Sequence, residues 1–286
     1  MSIAGSRSKF GLLVYNGTDN LGDEIQSLAA KQFLPKVDYL LDRDALQLTP
    51  AQADEDIKVI MNGWFFKEHG SWPPPAQIKP LLTSFHLTPG VRSVILSDAG
   101  IAYLKRQPPI GARDLFTLDL LRKAGVRSFF SACLTLTLQR PPVSRNEDLI
   151  VLNDLRQEAI GYIRRRTDKN VMLTWHSGYA PTDHEVRSQR AEKLLRLYAS
   201  AACVVTSRLH CALPCLAMGT PVLLIDVAPD QERFAGLNKF CLHIHESRFL
   251  KGEFAYDFDN PPPNPQFHLP YRQAHMEAAR AFLRES

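Results

Sequence analysis

The chain has 286 residues, 45% hydrophobic and 22% charged, with a formal net charge of +4 and a pI near 8.8. That is the make-up of a globular protein with one large or two medium domains. The mild basic excess suits an anionic substrate and excludes a dedicated nucleic-acid binder. No apolar run reaches the ~18 residues of a membrane span, so there is no transmembrane segment and any membrane contact is expected to be peripheral.

Residues 10–15 are too short for a signal-peptide core and read as a first strand. Asn16-Gly17-Thr18-Asp19-Asn20-Leu21-Gly22-Asp23 follows as a polar loop. Residues 24–33 then read as a helix with Ile25, Leu28, Ala29 and Phe33 on one face. Strand, Gly/Asn loop and helix make a ligand-type turn at the carboxyl edge of a sheet. The loop carries neither a G-x-G-x-x-G fingerprint nor a P-loop lysine, and a plain connection has the same look. Residues 58–61 read as a second strand. Gly63-Trp64-Phe65-Phe66 after it is either a pocket wall or a hydrophobic loop packed on its domain. Residues 71–75, with three prolines, read as loop, and residues 93–97 as a strand ending at Asp98.

Arg113 and Asp114 open a helix that Gly125 ends, so they offer an anion partner and a cap, or simply a local ion pair. Residues 141–148 are the linker candidate. The predicted division is therefore an α/β domain over residues 1–145 and a second over 146–286. Residues 149–152 start the second series, residues 155–166 form a helix, and residues 171–175 form a strand with His176 just past its end. Residues 188–200 form an amphipathic helix with Ala191, Leu194, Leu195, Tyr198 and Ala199 inward. Residues 228–233 are polar, residues 254–270 read as ordered loop, and residues 271–284 as a final helix.

The five cysteines, at 133, 203, 211, 215 and 241, match no zinc spacing. They read as small buried thiols, with no metal expected and a reducing, cytoplasmic location.

The densest stretch is Thr206-Ser207-Arg208-Leu209-His210, between the apolar runs 201–205 and 222–225. It reads as the middle of a β-α-β unit, with Ser207 as N-cap and Gly219 as C-terminal stop. Arg208 and His210 then lie in the first helical turn, where free backbone N–H groups favour an anion. The same residues also fit a structural turn, with Arg208 paired to a local carboxylate and His210 packed. Pro214 inside the helix is expected to kink it beyond that turn.

Three blocks resemble the polysaccharide pyruvyl transferase family: Asn20-Leu21-Gly22-Asp23-Glu24-Ile25-Gln26, Gly111-Ala112-Arg113-Asp114-Leu115-Phe116-Thr117, and Ser207-Arg208-Leu209-His210 through Gly219-Thr220-Pro221-Val222. The resemblance implies two Rossmann-like α/β domains with mostly parallel sheets, similar to B-type glycosyltransferases. It places the acceptor side and the Arg113 helix entrance in the first domain and the donor side in the second; the ligand-type loops in both halves already point to an active site in the cleft between them. It also implies a C-terminal helix that crosses back to the first domain. The implied reaction moves pyruvate from phosphoenolpyruvate to two hydroxyls of a sugar, or of a lipid-linked saccharide in a polysaccharide precursor, as a ketal. Phosphoenolpyruvate is a co-substrate and no cofactor is implied. By the family's pattern Arg208, Leu209 and Arg113 bind the donor and His210 is the general acid. A bound anion beside His210 would favour its protonated form. Asn16, Asn20, Gly22, Asp23 and His176 are acceptor-side or base candidates. Two other readings stay open: a nucleotide-sugar glycosyltransferase of the same shape, and a non-catalytic sugar- or anion-binding protein.

Overall fold

A computed structural model describes residues 8–49, 55–65, 72–178, 183–227 and 232–284. Phe66, Ser71 and the polar residues 228–231 of the sequence reading lie outside the described residues. The chain divides into two compact units. The first comprises Met1–Gly17, Gln26–Leu134 and Gln273–Ser286, and the second Thr18–Ile25 and Thr135–Arg272.

The first unit holds strands β1 (Lys9–Val14), β2 (Tyr39–Asp42), β3 (Ile57–Trp64), β4 (Ile78–His86), β5 (Ile110–Ala112) and β6 (Ser128–Phe130). They pair in the order β2-β1-β3-β4-β5-β6, every pair parallel. A parallel sheet is buried on both faces, and the unbroken runs of buried positions in β1 and β3 reflect this. Helices α1 (Leu21–Lys31), α2 (Arg92–Ile95), α3 (Asp98–Arg106) and α4 (Leu115–Lys123) belong to the connections. The first turn of α1 groups with the second unit.

Several elements differ from the sequence reading. Residues 93–97, expected as a strand, form the short helix α2, and Ser97 caps α3 by accepting from the Gly100 N–H. Gly63 and Trp64 end β3 rather than sitting in a loop. Phe65 is fully buried and stacks on Phe85 at 5.3 Å, so it is core. Strand β4, between β3 and β5, was not read at all, because Lys79, Pro80, Thr83 and Ser84 interrupt its apolar pattern.

The second unit holds β7 (Asn146–Asn153), β8 (Asn170–Thr174), β9 (Ala201–Thr206), β10 (Val222–Asp226) and β11 (Leu242–His245), in the parallel order β11-β10-β9-β7-β8. Its helices are α5 (Gln157–Arg164), α6 (His184–Ser200), α7 (Leu209–Met218) and α8 (Glu246–Leu250). The expected linker is only partly loop, since Asn146, Glu147 and Asp148 already form β7. The inward face read for α6 is buried as expected. Gly219 ends α7 at φ +71°, the left-handed conformation that glycine adopts without strain. The C-terminal helix α9 (Leu269–Arg284) groups with the first unit from Gln273 onward. There the Lys58 Nζ donates to the Phe282 carbonyl at 2.8 Å, and Thr83 Oγ1 lies 3.1 Å from His275 Nδ1. All five cysteines are buried and free. No helix among the described residues is long and apolar enough to cross a membrane.

Candidate functional site

The carboxyl ends of β7, β8 and β9 deliver Asp154, His176 and Ser207-Arg208 to one edge of the second unit's sheet. Open parallel sheets bind ligands at that edge. Below it lies a buried polar layer. Thr206 Oγ1 donates to Asn153 Oδ1 at 3.0 Å, and Asn153 Nδ2 donates to Thr174 Oγ1 at 3.2 Å. The Arg208 N–H is held by Thr206 Oγ1 at 3.0 Å.

Ser207 is not the cap of α7. Its hydroxyl donates to the Asp154 carbonyl at 2.6 Å, and Arg208 occupies the cap position without a side-chain cap bond. The correction moves the helix start by one residue but keeps Leu209 and His210 in its first turn. Arg208 is two-thirds buried, and its Nε lies 3.2 Å from Asp154 Oδ2. The ion pair and the ligand role are compatible, because one carboxylate at Nε fixes the guanidinium while leaving other N–H groups for a second anion. Leu209 is buried and His210 half-buried.

Asp154 sits at φ +52°, a left-handed conformation that Asp tolerates better than most residues. Its carboxylate also accepts the His176 N–H at 3.0 Å, so one side chain orients both Arg208 and His176. His176 is almost fully buried, and its Nε2 lies 3.0 Å from the Tyr198 hydroxyl. Burial, followed by the positive charge of Arg208, pushes its pKa down to about 3, so the ring is neutral at physiological pH. It is therefore no acid at working pH.

The first turn of α1 packs against the same histidines. The Leu21 N–H donates to the His176 carbonyl at 2.8 Å. Asn20 Oδ1 accepts the Gly22 N–H at 3.0 Å, and Thr18 Oγ1 bonds Asp23 Oδ2 at 3.2 Å. A Cβ at Gly22 would meet His176 Nδ1 at 3.1 Å and the His210 Cβ at 3.2 Å. A methyl group there would push these side chains back by a few tenths of an ångström, so glycine permits the close approach. Next to it, Glu24 is completely buried and bonded to Arg187 Nε at 2.7 Å and His184 Nδ1 at 3.1 Å. Of the candidates, Asn20, Gly22, Asp23, His176, Arg208, Leu209 and His210 all fall within this unit. Asn20 and Asp23 are occupied in holding the turn.

Arg113 and Asn16 belong to the first unit. Arg113 follows β5, almost fully buried, with Nε 3.5 Å from Asp114 Oδ2. Asp114 caps α4 through the Thr117 N–H at 2.8 Å and lies 2.5 Å from His86 Nδ1. Burial alone would raise the Asp114 carboxyl. The His86 contact, the Arg113 charge and the Thr117 N–H outweigh it and hold the pKa below the usual value. Asn16 is exposed and donates to Asp42 Oδ2 at 3.0 Å.

Asp154, Tyr198, Glu24, Arg187 and His86 were missed as site residues. Asp154 had a sequence signal, as Asn-Asp immediately after an apolar strand, and Glu24 lies within the Asn20–Gln26 block. Among the described residues no group of three or more His, Cys, Asp or Glu is placed to hold a metal ion.

No curated protein matches the chain. A crystal structure of a protein of uncharacterised function from Klebsiella pneumoniae subsp. pneumoniae NTUH-K2044 is similar at 14% identity, with a TM-score of 0.43, covering 77% of this chain and 84% of that one. The family model described as polysaccharide pyruvyl transferase matches residues 20–229. That span takes in the Asn20–Gln26 turn, the Arg113 helix entrance and the Arg208–His210 turn, and the chain belongs to the polysaccharide pyruvyl transferase family.

Proposed function

We propose that the protein transfers pyruvate from phosphoenolpyruvate to two hydroxyls of a saccharide as a cyclic ketal, with His210 as general acid and Arg208 as donor-binding cation. The observation that supports this most is the close approach at Gly22. It brings the turn at residue 22 against His210 and His176, beside an Arg208 that Asp154 holds in place. A donor with a carboxylate and a phosphate calls for a fixed guanidinium and helix N-terminal N–H groups, and the start of α7 offers both.

His210 gives its proton to the enol methylene, which becomes the methyl group, and the substituted carbon becomes an oxocarbenium centre. One sugar hydroxyl adds there and loses its proton. The bond from that carbon to the phosphate oxygen breaks, phosphate departs, and the second hydroxyl closes the ketal with loss of its own proton. Neutral His176 does not compete as acid and serves to position the turn. Arg113 is the second donor-binding cation in this reading. The acceptor is a sugar unit of a polysaccharide precursor, and the reaction needs neither metal nor organic cofactor. The assignment to the cytoplasm follows from where phosphoenolpyruvate is made.

The test is phosphate release from phosphoenolpyruvate with a panel of saccharide acceptors, alongside thermal stabilisation by each donor. Acceptor-dependent phosphate release is the expected result. Stabilisation by a nucleotide sugar with indifference to phosphoenolpyruvate would replace this reading with glycosyl transfer. Donor binding without turnover would point to a binding protein.

A further inference from the structure

The carboxyl edge of the first unit's sheet carries a second polar and aromatic cluster that the donor chemistry does not use. Strand β3 ends at Trp64, directly after Gly63 at φ +115°, and the β3–β4 register shifts between Met61 and Gly63. Irregularities of this kind re-aim a side chain and concentrate beside functional sites. A Cβ at Gly63 would meet Gln26 Oε1 at 3.0 Å, so the backbone path to Trp64 depends on glycine.

Trp64 is half-buried, not core. The Arg43 guanidinium packs 3.7 Å from its ring centroid and 4.7 Å from that of Tyr15. The Arg43 side chain is only 1% exposed and is neutralised by Asp44, with Nε to Oδ1 at 3.1 Å and Nη2 to Oδ2 at 2.8 Å. An apolar filler would support an indole at least as well as a buried charge does. What the guanidinium adds is a flat, fixed surface that sets the ring's plane and, by cation–π attraction, its position. At the carboxyl ends of the two neighbouring strands β1 and β2, Asp42 Oδ2 accepts from Asn16 Nδ2 at 3.0 Å, and Oδ1 accepts the Asp44 N–H at 3.0 Å. Each Asp42 oxygen keeps a lone pair for one more donor, and Asn16 is exposed.

An indole held by a guanidinium and a carboxylate–amide pair on one sheet edge is the chemistry that recognises a pyranose. The ring's C–H face packs on the electron-rich aromatic face, and neighbouring hydroxyls donate to the carboxylate and exchange hydrogen bonds with the amide. From the Trp64–Arg43 stack and the Asp42–Asn16 pair on the same edge of neighbouring strands, we infer a saccharide-binding subsite at this edge, with Trp64 as platform and Asp42 and Asn16 as hydroxyl partners. It rests on the transferase reading for its meaning, as the place where the acceptor, or an adjoining sugar unit of it, is held. Its existence as a sugar site does not depend on that reading.

The experiment is titration calorimetry and saturation-transfer NMR of the full chain with methyl β-galactopyranoside, methyl β-glucopyranoside and the methyl glycoside of N-acetylmannosamine. Thermal stabilisation by phosphoenolpyruvate is measured in parallel. At least one glycoside binds the wild-type protein without phosphoenolpyruvate. Trp64→Ala weakens that binding about tenfold, and Trp64→Phe keeps it within about threefold by retaining an aromatic face. Asp42→Ala weakens it about fivefold through loss of a charged acceptor. Stabilisation by phosphoenolpyruvate is unchanged in all three. Absence of binding by every glycoside, or equal binding by wild type and Trp64→Ala, overturns the inference. If the glycosides obey these expectations while phosphoenolpyruvate fails to stabilise the wild type, the transferase reading falls and the subsite stands.

Discussion

At Gly22 a single missing side chain lets the start of α1 approach two histidines. Gly22→Ala leaves a backbone that any residue adopts in a helix, so propensity alone would favour it. The added methyl must nevertheless fit within 3.0–3.2 Å of Asn20 Oδ1, His176 Nδ1 and the His210 Cβ. Overpacking of this kind costs about 1–3 kcal/mol. The expected outcome is a stability loss in that range by urea unfolding, with turnover reduced at least tenfold. Turnover at the wild-type level would show that the contact does not matter.

His176 sits against Gly22 and has a pH signature of its own. Its folded pKa, about 3, lies below the ordinary 6.5. Between those values the unfolded chain binds the proton and the folded protein does not. The contribution to stability is therefore complete above pH 6.5 and is lost as pH falls towards 3. His176→Gln keeps a polar end group for the Tyr198 hydroxyl but cannot titrate. Urea unfolding from pH 8 to pH 4 should show a shallower acid decline in the variant than in wild type. His275, pushed to about 4 mainly by burial, titrates over a similar range in both proteins and cancels from the difference. An identical slope would contradict the buried, neutral state of His176.

The elements around the site carry separable roles. The end of β7 turns through Asp154 in a left-handed conformation, and its carboxylate holds Arg208 and His176 together. Asn tolerates that conformation too, so Asp154→Asn should fold normally while loosening the guanidinium. The expected result in steady-state kinetics is a KM for phosphoenolpyruvate raised about tenfold with kcat nearly unchanged. At the other end of α7, Gly219 has open space where a Cβ would stand, yet φ is +71°. Gly219→Ala should therefore cost about 1 kcal/mol in stability and leave both KM and kcat alone. The two variants together separate the function of the helix start from the stability of the helix end.

Legibility in the sequence follows the same division between local and distant chemistry. Gly125 and Gly219 were readable as helix stops, and the inner face of α6 from its spacing, because each depends on neighbours in sequence. The strand expected at 93–97 failed because Val94, Ile95 and Leu96 form an apolar run too short to separate strand from helix. Strand β4 was hidden by Pro80 and by the hydroxyls of Thr83 and Ser84, whose role is to bond within the first unit's core. In the site, Arg208 stood out as a cation and His210 as a titratable group at a helix start. Tyr198 was readable only as a core residue, since its hydroxyl contact with His176 links elements 22 residues apart. The Glu24–Arg187 pair spans 163 residues, and no local pattern marks it.

At the scale of the whole molecule, each unit is a parallel sheet whose carboxyl edge gathers polar and charged side chains. The second unit brings Gly22, His176, Arg208 and His210 together, and the first carries Arg113 with Asp114 and His86, and Trp64 with Arg43. The central claim is that His210 supplies a proton in the chemical step and does not merely help bind the donor. It is tested most directly by measuring, for His210→Ala, both the dissociation constant of phosphoenolpyruvate and the rate of acceptor-dependent phosphate release. Expected are a dissociation constant within about threefold of wild type and a rate lowered by about 10²–10⁴, the range of a lost general acid. Phosphate release at the wild-type rate would contradict it.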